Sequence, residues 1–127
     1  MERETKRPVV WLVAVAAVLL SGCGLYYERR AEQARADYIK QHTNLPDEIV
    51  LGIHDAQPVI GMTVEQLEVA LGGDLRVVRT GSDGTSVHEH RQYYSGALAV
   101  GNYQPYSSTL YYFEGGALVS WEHWPGL

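Results

Sequence analysis

The chain has a single cysteine, Cys23, among its 127 residues. No internal disulfide is possible, so nothing of that kind staples the fold, and the thiol must pair between chains, bind, react or carry a modification. Basic side chains are also scarce: Lys and Arg number 10 against 15 Asp and Glu, a net charge of −5. With no basic stripe to neutralise phosphates, nucleic acid is not an expected partner. Apolar runs are short. The longest, Val9 to Leu20, falls well under the roughly 20 residues that a spanning helix needs. Catalytic signatures are missing too: there is no nucleophile elbow, no metalloprotease helix and no phosphate loop, so the expectation is a protein that is not an enzyme and takes no cofactor. Asp74 and Asp83 fall in expected turns, where carboxylates commonly satisfy backbone groups.

What is present begins with the segment around that cysteine. Met1 to Pro8, with Arg3, Lys6 and Arg7, forms a basic lead, and the apolar run behind it dissolves into Ser21, Gly22 and Gly24. This is the layout of an export signal over residues 1–22. Leu20-Ser21-Gly22-Cys23 resembles the lipobox of bacterial lipoproteins, which implies that Cys23 is the lipid attachment site and the first residue of the mature chain. Each buried CH₂ contributes about 0.8 kcal/mol, so several acyl chains on one residue hold a protein at a bilayer where one chain is marginal. The competing reading is a single-pass anchor with a buried thiol, because residues 9–27 carry no charge. In such families an Asp after the cysteine favours the inner membrane. Gly24 stands there instead, which points to the outer membrane, periplasm-facing, with the inner membrane as the alternative.

Residues 23–36 read as the lipidated cysteine and a polar, solvated tether, and residues 37–127 as one small α+β domain. Asn44 is the expected N-cap of a short helix over about residues 46–55, with Pro46, Asp47 and Glu48 in its first turn. Thr63 and Gln66 have capping-box spacing ahead of Val64, Leu67, Val69, Ala70 and Leu71, and Gly72-Gly73 closes that helix. Thereafter the period shifts toward two. "LRVVRT" (75–80) and "VHEHRQYY" (87–94) flank Asp83-Gly84, and "TLYYFE" (109–114) and "ALVSWEHW" (117–124) flank Gly115-Gly116, which predicts two β-hairpins. The stretch between them, 95–108, is rich in Gly, Pro and Ser and reads as a long, functional or disordered loop.

The segments "LPDEI", "GMTVEQLEVALG" (61–72) and "LYYFEGG" (110–116), behind a lipobox, resemble the small outer-membrane lipoproteins of the SmpA/OmlA family, which includes the barrel-assembly accessory BamE. The resemblance spans about residues 37–124. It implies two short helices packed on one face of an antiparallel sheet of three to four strands, in the order ααββββ, a scaffold shared with β-lactamase inhibitor proteins. Relatives carry a proline after the "LG" and a tryptophan before the second-strand tyrosine. Gly73-Asp74 and Arg91 stand near those places here.

Three groups of side chains are candidates for a site. His88 and His90, two apart on a strand, share a face and are weak metal candidates with His123. Tyr93, Tyr94, Tyr103, Tyr106, Tyr111, Tyr112, Trp121 and Trp124 are the aromatic stock of the hairpins and the loop. From these, Tyr103, Tyr106, Tyr111 and Trp121 are the expected partner-binding residues, because Tyr and Trp are enriched in binding hot spots. Period-two alternation sets Leu110 and Tyr112 on the face opposite Tyr111 and Phe113, without saying which face is wet. The expectation is therefore an outer-membrane lipoprotein with a non-catalytic domain that binds an envelope protein and assists envelope or outer-membrane protein assembly. The alternative is a lipid-anchored periplasmic inhibitor or ligand-binding module.

Overall fold

The computed structural model describes residues 26–93 and 106–125, which form an α+β fold of three helices and one four-stranded antiparallel sheet. Cys23, with Leu20, Ser21 and Gly22, lies outside the described residues, as do Tyr94 and Tyr103. Helix α1 occupies 26–41, α2 is Asp47–His54 and α3 is Val64–Leu71. Strands β1 (Arg76–Thr80), β2 (Thr85–Tyr93), β3 (Tyr106–Glu114) and β4 (Ala117–Trp124) pair in sequence order as a meander.

Helix α1 runs without a break through residue 37, so the polar segment expected as a tether continues as helix into the domain. Interleaved charges and alanines give it helix propensity but little to bury, and its Gln33 side chain donates to Asp37 one turn on, at 2.9 Å. Only its far end meets the core, through Tyr38 and Ile39. There the His42 ring stacks on Tyr38 at 3.9 Å and its Nδ1 lies 2.8 Å from the Tyr38 carbonyl, closing the last turn.

Helix α2 starts at Pro46 rather than at the expected Asn44 cap, and no side chain caps it. The Pro46 carbonyl instead accepts from the N–H groups of Ile49 and Val50 at 3.0 and 3.1 Å, while Asp47 and Glu48 offset the dipole. Gly52 is buried within it, and a Cβ there would run into Val59 and come 2.8 Å from Met62 Cε, so glycine lets the following chain fold back closely. In α3 the capping box is complete: Gln66 N–H donates to Thr63 Oγ1 at 3.2 Å and Thr63 N–H to Gln66 Oε1 at 2.9 Å. Gly72 ends it at φ 77°, the left-handed conformation that a Cβ disfavours.

Both hairpins form where Gly84 and Gly115-Gly116 supply positive φ. Two boundaries differ from expectation. β2 begins at Thr85, and β3 begins at Tyr106 rather than 109, because Arg91, Gln92 and Tyr93 pair with Ser108, Ser107 and Tyr106 and carry the ladder onward. Serines have little strand preference of their own, but a neighbouring strand decides their state. What is left of the expected loop, 94–105, is outside the described residues.

The core consists of Ile49 and Ile53 from α2, Met62 before α3, Leu67 and Ala70 within it, Leu75 just ahead of β1, and Tyr111, Phe113 and Leu118 from the sheet. Fully burying a side chain of the Leu or Phe class contributes about 1.5–3 kcal/mol, and every sheet contribution is made on the helix-side face. The edge of β4 is tied down at one point. Leu118 N–H donates to the Met62 carbonyl and its carbonyl accepts from Gly61 N–H, both at 2.8 Å, which fixes the start of α3 against the sheet.

Candidate functional site

Registers across the sheet settle which side chains share a face. Ser86, His88 and His90 of β2, Thr109, Tyr111 and Phe113 of β3, and Leu118, Trp121 and His123 of β4 are on the helix side. Val87, Glu89, Arg91 and Tyr93, with Tyr106, Ser108, Leu110 and Tyr112, and Glu122 and Trp124, form the outer face, which none of the described helices covers.

At one end of that outer face the aromatic residues gather. Tyr93 pairs with Tyr106, their ring centroids 5.7 Å apart, and Trp124 is opposite Ser108, diagonal to Tyr106. The three are 55%, 36% and 58% exposed. The Arg91 guanidinium lies over the Tyr106 ring, 4.5 Å from its centroid. Arg91 is held in that pose from below: its Nε donates to Glu89 Oε1 at 2.6 Å, and Ser108 Oγ donates to the same oxygen at 2.9 Å. Arg76 stands 3.9 Å from the other oxygen. Glu89 is buried in this setting, and the bond from Arg91, helped by Ser108 and the charge of Arg76, holds its carboxyl below the usual carboxylate range despite burial. The same bond pushes the Arg91 guanidinium further toward its charged form. The result is a cation and three rings, positioned by a buried carboxylate and open to solvent.

Compared with protein families, curated proteins and solved structures, the chain matches none. Its function is therefore read from the site itself.

The expected partner-binding residues do not form one surface. Tyr106 is on the outer face as described, but Tyr111 is 4% exposed and belongs to the core, its hydroxyl pushed up by burial. Burial wins there because Tyr111 stands between His88 and Trp121 in the row of the sheet that the helices overlie. Trp121 is 41% exposed but on the opposite face from Tyr106. Sequence reasoning passes over Arg91 and Glu89 as site residues and does not single out Tyr93 and Trp124 from the other aromatics. The i, i+2 spacing of Glu89, Arg91 and Tyr93 on a strand is the signal for a shared face.

The three histidines are not brought together. His88 is buried edge-on against Phe113 at 5.0 Å, its Nε2 is 3.1 Å from Ser86 Oγ, and burial lowers its pKa. His90 and His123 share a row but are separated by Thr109, whose Oγ1 is 3.1 Å from His123 Nδ1. Among the described residues no group of three His, Cys, Asp or Glu is arranged to hold a metal ion. Asp83 acts locally. Its carboxylate accepts from the N–H and hydroxyl of Thr85 at 3.2 and 2.6 Å, which builds the first hairpin turn and lowers its pKa.

Proposed function

We propose that this chain is an outer-membrane-anchored lipoprotein whose domain is a non-catalytic protein-binding module, an accessory in the assembly or maintenance of envelope proteins. The observation that carries this reading is the exposed Tyr93, Tyr106, Trp124 and Arg91 cluster on the outer face of the sheet. Tyr, Trp and Arg are the residue types that dominate binding hot spots, and here the cation is already oriented, which lowers the ordering cost of association. The lipobox at Leu20 to Cys23 supplies the anchor, and the helix at 26–41 supplies a spacer between the membrane and the binding face.

Two measurements test the proposal together. Mass spectrometry of the mature chain should find residues 1–22 removed and Cys23 lipidated, and an unmodified Cys23 contradicts the anchor. A photo-crosslinking residue placed at 106 or 124 in cells should capture an outer-membrane or barrel-assembly protein. Capture of a soluble periplasmic enzyme alone would favour the inhibitor alternative.

A further inference from the structure

The two edges of the sheet are unlike. β1 is short, bears Arg76 and Arg79, and is broken by a register shift between Val77 and Arg79, the features that keep strand edges from pairing. β4 has eight residues and, between Ala117 and Trp124, no Lys, Arg or Pro. In an antiparallel strand the N–H and C=O of one residue point to the same side, and successive residues alternate between the partner strand and the outside. The backbone of Leu118, opposite Phe113, points away from β3, as its bonds to Gly61 and Met62 prove. Carried along the register past the irregularity at Tyr112, the same parity turns the backbone of Trp121, opposite Tyr111, and of His123, opposite Thr109, outward as well. Among the described residues no backbone group pairs with either. Their side chains rim a cleft of about 250 Å³ on the helix side that Pro58 and Leu71 also line.

We propose that the Trp121 to His123 edge of β4 is a docking site for an extended strand of a partner protein, which continues the sheet where the Gly61–Met62 chain leaves off. Two N–H and two C=O groups at two-residue spacing fit a β-strand, and the side chains that face Trp121 and His123 stand on the helix side, where the half-exposed Trp121 ring, Pro58 and Leu71 offer apolar contact at a cleft that Gln57, His90, Gln92 and Thr109 also line. The intervening side chain of the incoming strand stands on the outer face against Glu122, the one carboxylate of β4, so a basic residue belongs there. The occupant is therefore a segment that alternates apolar and basic residues. A second copy of this chain is disfavoured: the symmetric pairing that uses both Trp121 and His123 sets Glu122 directly opposite its own counterpart, and like charges in that position destabilise a sheet.

The test uses the full chain in detergent and an acetylated, amidated octapeptide alternating valine with lysine, read by tryptophan fluorescence and NMR shifts. Saturable binding is expected, weakened about tenfold or more when the valines are N-methylated and hardly changed when the lysines are, because only the valine N–H groups face the edge. A valine–glutamate peptide should bind more weakly than the lysine form. His123→Pro removes one outward donor without breaking a ladder bond, and should lose the peptide while keeping its melting temperature. No binding at about 1 mM peptide, equal binding of both N-methylated forms, or an unaffected His123→Pro overturns the proposal. So does concentration-dependent dimerisation of the wild-type chain that His123→Pro abolishes, which would give the edge to a second copy. Should His123→Pro fail to fold, the N-methylated pair decides.

Discussion

Arg91 lies over the ring of Tyr106 at 4.5 Å, and the contact joins two strands on the face of the sheet that the helices leave open. It combines a cation–π contact with an ion pair, since the same side chain donates to buried Glu89 at 2.6 Å. An arginine fixed at both its charge and its stacking face presents a rigid cationic surface.

Tyr106→Ala and Trp124→Ala should each weaken partner capture by about 1–4 kcal/mol, as for truncated hot-spot residues, while the denaturation midpoint stays near that of wild type. Tyr111→Ala should do the reverse: its ring is core, and its removal should cost on the order of 3–5 kcal/mol of stability. Paired binding and urea-denaturation assays separate the two classes. A Tyr106→Ala protein that binds normally would move the site off the outer face.

Glu89→Ala tests whether the carboxylate positions Arg91. The variant should lose partner binding with Arg91 still present, and a 15N-labelled Arg91 side chain should report a more mobile guanidinium. Glu89→Gln, which keeps acceptors for both Arg91 and Ser108, should retain more binding than the alanine variant. Equal binding by both variants and wild type would show that Tyr106 alone holds Arg91 in place.

Thr63→Ala should destabilise the domain by about 0.5–2 kcal/mol, since it orphans the Gln66 N–H at the start of α3. Gly72→Val should cost more than Gly72→Ala, because both force a Cβ into φ 77° and valine is also β-branched. Equilibrium unfolding in urea measures each. Two neutral substitutions would mean that the ends of α3 are held from elsewhere.

Acid should destabilise the fold in two stages. His88 and His90 have folded-state pKa values lowered by burial, so the unfolded chain binds protons first, and stability falls as pH drops below the ordinary histidine value of about 6.5. Glu89, also lowered, contributes stability that is present above the ordinary glutamate value of about 4.3 and is lost as pH falls through the folded value. His88→Phe should therefore flatten the decline between about pH 7.5 and 5.5, leaving the share due to His90, and Glu89→Gln should flatten the decline below about pH 4.5. Urea midpoints across that range check both limbs, and a His88→Phe protein as acid-sensitive as wild type near pH 5.5 would contradict the first.

Features determined by hydrogen bonds between near neighbours were legible in the sequence alone. The Thr63–Gln66 box, the glycine that ends α3 and the turns at Gly84 and Gly115-Gly116 each depend on no more than about four consecutive residues, so residue type and spacing suffice. The α+β class followed from the change of hydrophobic period after Gly73. Tertiary structure decided the rest. Asn44 has the chemistry of a cap but stands two residues ahead of Pro46, whose carbonyl accepts the first bonds of α2, and Ile49 and Ile53 anchor that helix in the core. Tyr106 to Ser108 read as loop and became strand because β2 offered them a ladder. Tyr106 and Tyr111 are the same residue on the same strand, one wet and one buried. An odd separation sends them to opposite faces, but which face receives the helices is set by contacts distant in sequence, among α2, α3 and the sheet, and no local pattern encodes that choice.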